Sequence, residues 1–216
     1  MKNFNQYITE KIKLSSDRFK QRHNDFEYVD LGLPSGTLWA TCNVGAREPE
    51  EYGDCVAWGE TEIKSWYKWD SYKLYDNSSN MLKKYNDDDN KTVLESKDDY
   101  ATLKMGDGWY TPTKEQCKEL LEHTTQRFVY NFDGNYTPGF VFKSKRNDTE
   151  LFFPASGVIE GTSRMDYNKY AYFWTSTLFS KNEADANILL LQHDGSCIIS
   201  YDERYYGMPI RAVRNQ

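Results

Sequence analysis

From Tyr170 to the end of the chain, apolar and polar positions come in short runs broken by turn residues. Ala171-Tyr172-Phe173-Trp174-Thr175-Ser176 is aromatic and β-branched, as a strand prefers. Asn187-Ile188-Leu189-Leu190-Leu191-Gln192 is an apolar run too short for a helix, and Cys197-Ile198-Ile199-Ser200-Tyr201 follows as its return strand. His193-Asp194-Gly195-Ser196 lies between them, and Asp-Gly between two apolar runs predicts a hairpin. After a polar turn at Asp202, Glu203 and Arg204, Met208 to Val213 reads as a last strand. Strands at one end of a chain cannot close a core alone, so upstream segments must cover them.

The upstream pattern supplies that cover. Val29 and Leu31 alternate with polar neighbours, Gly32 to Gly36 reads as a turn, and Leu38-Trp39-Ala40 is a second short strand. Ser96 to Leu103 predicts a short helix: Ser96 caps it, Asp98 and Asp99 sit in its first turn, and Gly106 lies past its end. Thr113 followed by Gln116 three positions later is a capping box that opens a second helix, with Cys117, Leu120 and Leu121 inward. Arg127–Phe132, Gly139–Lys143 and Leu151–Pro154 read as middle strands, and Gly157 to Tyr170 as a surface loop. Residues 62–91 form a polar loop carrying Trp66, Tyr67, Trp69, Tyr72, Tyr75 and Tyr85. A loop that long is expected to wrap the core. Two short helices followed by a mostly antiparallel sheet is an α+β arrangement.

Residues 1–26 read as a separate amphipathic helical arm, and 27–216 as the domain. Phe4, Tyr7, Ile8, Ile12 and Leu14 fall near helical spacing, with Ser15-Ser16-Asp17 as a stop or as the cap of a short second helix through Arg22. A helix of this length needs a surface to lie against, which makes these five residues candidates for docking to a larger assembly. The arm holds six basic and three acidic side chains, a net +3 against -6 for the whole chain, which leaves -9 on the remainder. Nucleic acid is therefore not expected as a partner. There is no apolar span of transmembrane length and no apolar leader core, which implies cytoplasmic synthesis, with incorporation into a virion as one destination.

The chain has 17 Tyr and 6 Trp, with aromatics at 16%, far from a disordered composition. Tyrosines among Asn, Asp and Ser suit a recognition surface, because Tyr offers area with few rotors to freeze. Cys42, Cys55, Cys117 and Cys197 include no C-x-x-C pair, so no zinc or redox motif is expected. Cys42 and Cys55 are near enough in sequence to meet across a loop, and a reducing compartment would keep them as thiols. Asp87-Asp88-Asp89-Asn90 offers carboxylates but no Gly or closing Glu of a calcium loop, and reads as a solvated turn. No metal, cofactor or catalytic residue is expected. Cys197 is read as a small strand residue, and no nucleophile elbow is present.

Asn43-Val44-Gly45-Ala46, Glu51-Tyr52-Gly53-Asp54 and Ala57-Trp58-Gly59-Glu60-Thr61 are followed by Thr92-Val93-Leu94-Glu95 and Asp98-Asp99-Tyr100-Ala101-Thr102. Then come Gly108-Trp109-Tyr110-Thr111-Pro112-Thr113-Lys114-Glu115, Phe153-Pro154-Ala155-Ser156-Gly157, Phe173-Trp174-Thr175-Ser176 and Ile210-Arg211-Ala212-Val213-Arg214. Over residues 28–214 this order resembles the Fibrobacter major-paralogue domain of gut and rumen bacteria. The start of the chain resembles N-termini of proteins from gut-bacterial phages. The resemblance implies a C-type-lectin-like fold with paired N- and C-terminal strands, placing Tyr28–Leu31 beside Met208–Val213. The same broad fold serves formylglycine-generating enzymes and retroelement-variable proteins. The calcium-dependent sugar signatures Glu-Pro-Asn and Trp-Asn-Asp are absent, so that activity is not implied. By resemblance to the variable proteins, the displayed residues are Tyr167, Asn168, Tyr170, Tyr172, Thr177, Asn187, Gln192, Asp194, Tyr201, Asp202, Arg204 and Tyr205. The expected function is non-enzymatic recognition of a protein or glycan. The alternatives are a structural part of a virion and an enzyme on the formylglycine-generating scaffold.

Overall fold

The computed structural model describes residues 21–216. Phe4, Tyr7, Ile8, Ile12 and Leu14 lie outside the described residues. The first described elements are strands β1 (Gln21–His23) and β2 (Phe26–Val29), paired antiparallel through Asn24 and Asp25. Both turn residues have left-handed backbone, φ 49° and 65°, which Asn and Asp tolerate and a two-residue hairpin requires. This corrects the assignment of residues 21–26 to a helical arm. Arg22 faces Glu27 across the hairpin at 2.8 Å.

β3 (Leu38–Ala40) pairs with β2 on one side and with the last strand, Val213–Arg214, on the other. The order β1-β2-β3 and then the last strand corrects the expected direct pairing of the ends. Both ends share one sheet, but β3 stands between them, and Val29, Trp39 and Val213 line up in one row.

The long loop contains a 3₁₀ turn at Trp69–Ser71 and a small hairpin of β4 (Tyr75–Asp76) and β5 (Met81–Leu82). It does wrap the core. Tyr67 and Tyr72 are buried, and their hydroxyls donate to the Cys55 and Trp58 carbonyls at 2.5 and 2.7 Å.

Ser96–Asp98 is a 3₁₀ turn, and α1 (Tyr100–Met105) is capped by Asp99 rather than by Ser96. The buried Asp99 carboxylate accepts from the N–H groups of Ala101, Thr102 and Thr111 and from the Thr111 hydroxyl, a set of donors Ser96 lacks. α2 (Lys114–His123) has the expected capping box between Thr113 and Gln116. It buries Cys117 and Leu120.

β6 (Thr124–Val129), β7 (Gly139–Ser144) and β8 (Glu150–Pro154) form an antiparallel meander. β9 (Val158–Glu160) and β10 (Ser163–Met165) are a hairpin inside the stretch expected to be a loop. β11 (Tyr170–Leu178), β12 (Asp185–Gln192) and β13 (Cys197–Glu203) form a three-stranded antiparallel sheet, with the Asp194-Gly195 hairpin in place. β14 (Val213–Arg214) closes the chain. The segment before it bonds to several partners in turn: Met208 with Val56, Ile210 with Val44, Ala212 with Ala40.

Side chains alternate across a strand, so β11 and β12 feed two cores. Trp174 and Ile188 join Trp58, Trp109, Met208 and Ile210 on one face. Phe173, Leu189 and Leu191 join Trp39, Phe140, Phe153 and α2 on the other. Helices and antiparallel sheets around these cores make an α+β fold. Among the described residues no helix is long and apolar enough to cross a membrane.

A candidate recognition face and the groove beside it

The register of the β11–β13 sheet decides which of the expected displayed residues come together. Tyr170 lies opposite Gln192, Tyr172 opposite Leu190, and Leu190 opposite Ile198. Ile188 lies opposite Ser200, and Ala186 opposite Asp202. Alternation therefore puts Tyr170, Tyr172, Gln192 and Asp202 on one face with Leu190, Ile198 and Ser200. Trp174 and Ile188 of that face are covered by the first core, while Tyr172, Leu190 and Tyr206 are only half-buried against it. Ile198 is 44% exposed.

The turn at 166–169 borders this face. Tyr172 donates its hydroxyl to Asp166 at 2.9 Å, and Tyr167 and Asn168 are exposed beside it. The turn is drawn in by Gly157 (φ 64°), where a Cβ would sit 2.0 Å from the Met165 carbonyl oxygen. Burial, and then the nearby Asp166 carboxylate, push the Tyr172 phenol up. Burial, followed by the charges of Glu203, Asp185 and Glu160, pushes Asp202 up to about 6. Among the described residues no cation pairs with Asp202. The face is thus tyrosine-lined and acidic.

The other expected residues lie elsewhere. Tyr201 is exposed, but on the opposite side of the sheet, stacked on Phe179 at 3.9 Å. Asp194 sits at the hairpin tip and holds the Ser196 N–H and hydroxyl. Thr177, Asn187, Arg204 and Tyr205 are buried, which corrects their expected display. Thr177 accepts the Lys114 N–H at the start of α2, and Asn187 donates to the Thr177 and Leu178 carbonyls where β11 slips register. Tyr205 packs on Trp69 and donates to Glu203. Arg204 is fully buried. It donates to the Tyr72 hydroxyl and to the Lys84, Tyr85 and Glu183 carbonyls, with its guanidinium 4.8 Å from the Trp58 ring.

Leu190 and Ile198 were missed because they are apolar, Ser200 because strand parity was not counted from Tyr172, and Asp166 because its turn is joined to the face only through the Tyr172 hydroxyl. An open groove of about 450 Å³ was missed as well. It lies beyond Asn168, lined by Glu50, Glu51, Tyr52, Tyr136 and Pro138, and comes from loops distant in sequence. Tyr52 donates its hydroxyl to Asn168 Oδ1 at 2.7 Å, which joins the groove to the turn.

All four cysteines are free thiols, and burial is the first cause raising each, with Cys197 pushed up to about 11. Asp89 is used as a turn cap, accepting the N–H groups of Tyr85, Asn86 and Lys91. Among the described residues no group of three or more His, Cys, Asp and Glu side chains is placed to hold a metal ion. No family model matches the chain, and no curated protein or solved structure matches it.

Proposed function

We propose that the chain is a non-enzymatic recognition module of the C-type-lectin-like class, akin to the Fibrobacter major-paralogue domains. It displays one face of its β11–β13 sheet to a protein or glycan. The observation that carries this reading is the register that gathers Tyr170, Tyr172, Gln192 and Asp202 on one half-buried face with Ile198. Tyrosines fixed on a paired strand offer contact area at low entropic cost, and the polar side chains between them set orientation. Attachment to a larger assembly, a phage particle or a cell surface, through the stretch before residue 21 belongs to the same proposal.

The test is a panel of immobilised proteins and glycans probed with the full-length chain, Tyr172→Ala and Ile198→Ser. A ligand held by the wild type and weakened tenfold or more in both variants, with Tm within a few degrees, is the expected result. Equal binding by all three chains, or retention of nothing by the wild type, sinks the reading. Deleting residues 1–20 is expected to leave that binding intact and to release the protein from its assembly.

A further inference from the structure

The groove between residues 50–52 and 136–138 has a chemistry of its own. Tyr136 is 82% exposed, more than any other large hydrophobic side chain among the described residues. Its backbone is left-handed at φ 54°. The Asn131 side chain holds that turn by accepting the Tyr136 N–H at 3.2 Å. The ring meets no other aromatic ring among the described residues. Across the groove, the Tyr52 hydroxyl is committed to Asn168, which fixes its ring.

The charges that line the groove are Glu50 and Glu51, and no Lys or Arg lines it. Glu51 is oriented by the Arg47 N–H at 2.7 Å, and Glu50 by the Asn135 amide. Tyr52 has its hydroxyl on Asn168 and the Arg164 guanidinium over its ring, 5.2 Å from the centroid, so the freely exposed ring of the groove is that of Tyr136. The site therefore presents two carboxylates and the exposed Tyr136 ring, and few donors. A saccharide needs donors and acceptors in comparable number. A calcium ion needs six to eight oxygens, more than two partly committed carboxylates give. An ammonium or guanidinium needs what is present, aromatic faces and carboxylates.

We propose that this groove takes a lysine or arginine side chain from a basic segment of a partner protein. The inference rests on the recognition reading and narrows it: the same segment continues over Asn168 onto the face that carries Asp166 and Asp202. About 450 Å³ admits one such side chain with its neighbours. The charge of -9 on residues 27–216 attracts such a partner over distance.

The test uses the full-length chain and two fluorescein-labelled probes, an alternating Arg-Lys hexapeptide and cellohexaose, read by anisotropy at 50 and 300 mM salt. The peptide is expected to bind, and to bind at least tenfold more weakly at the higher salt. Glu50→Gln with Glu51→Gln, and separately Tyr136→Ala, are each expected to weaken it tenfold or more with unchanged near-UV circular dichroism. Glu115→Gln with Glu122→Gln, on exposed acids of α2, is expected to change it less than twofold. Binding of cellohexaose alone, no peptide binding, or equal loss from the α2 pair overturns the proposal. Loss from Ile198→Ser with none from the groove variants also overturns it but leaves the sheet-face reading standing. Loss from neither surface overturns the groove proposal, and the sheet-face reading then stands or falls on the protein and glycan panel.

Discussion

Asp99 ties two helix starts to the core with one carboxylate. It caps α1, and it holds the backbone and hydroxyl of Thr111 just ahead of α2. Asp99→Ala strands several buried donors together, each costing about 1–3 kcal/mol. Some relaxation is expected, so a loss near ~3 kcal/mol follows, read as a fall in Tm of roughly 6–12 °C. Asp202 works in the opposite sense. Its folded-state pKa is raised from the ordinary 3.8 to about 6, so the folded chain binds this proton more tightly than the unfolded chain does. Its charge opposes folding above about pH 6, and that opposition fades as pH falls from 6 toward 3.8. Asp202→Asn keeps the acceptor for the Glu203 N–H. It is expected to raise Tm by ~1–2 °C at pH 7.5, discounted for solvent screening, and to change nothing near pH 3.5, as followed by thermal melts. Residue identity told little about which polar side chains face outward. Asn187 and Thr177 looked displayable, but their hydrogen bonds are made inside, to β11 and to the start of α2.

Elements with local chemistry were legible. The Asp194-Gly195 turn fixed the β12–β13 hairpin, and Thr113 with Gln116 marked the start of α2 before any coordinates. Thr113→Ala is expected to cost about 1 kcal/mol, a drop in Tm of roughly 2–4 °C, with Thr113→Ser restoring most of it. Elements defined by distant partners were not legible. β9 and β10 are three residues each and carry no strong period. Met208 to Ala212 has strand composition, yet its hydrogen bonds go in turn to Val56, Trp174, Val44 and Ala40, so a continuous ladder begins only at Val213. The proposed recognition face was half legible for the same reason. Its β11 residues were reached through the family resemblance, but the groove is assembled by loops more than 80 positions apart, at Glu50 and Asn135.

At the scale of the whole molecule, a buried cation joins the loop at 62–91 to the end of the chain. Arg204 has no carboxylate partner among the described residues, and its charge is met by carbonyls and by the rings of Trp58, Tyr72 and Tyr85. Arg204→Met fills similar space but leaves three buried carbonyls and a phenol without their donor. It is expected to cost about 3–5 kcal/mol, and hydrogen exchange should report early opening at residues 82–86 rather than in β6–β8. Uniform loss of protection across the chain would show instead that the loop is held by its tyrosines alone.

The path of residues 204–214 also dictates an order of events during synthesis. Val44, Val56 and Tyr110 wait for partners translated more than 100 positions later. Until residues 204–214 have left the ribosome, the tryptophans of the first core lack Met208, Ile210 and Ala212 against them, and the hydrogen bonds of Val44, Val56 and Tyr110 to that segment cannot form. A nascent chain stopped at residue 203 should therefore present as a client for chaperones rather than as a slightly weakened protein.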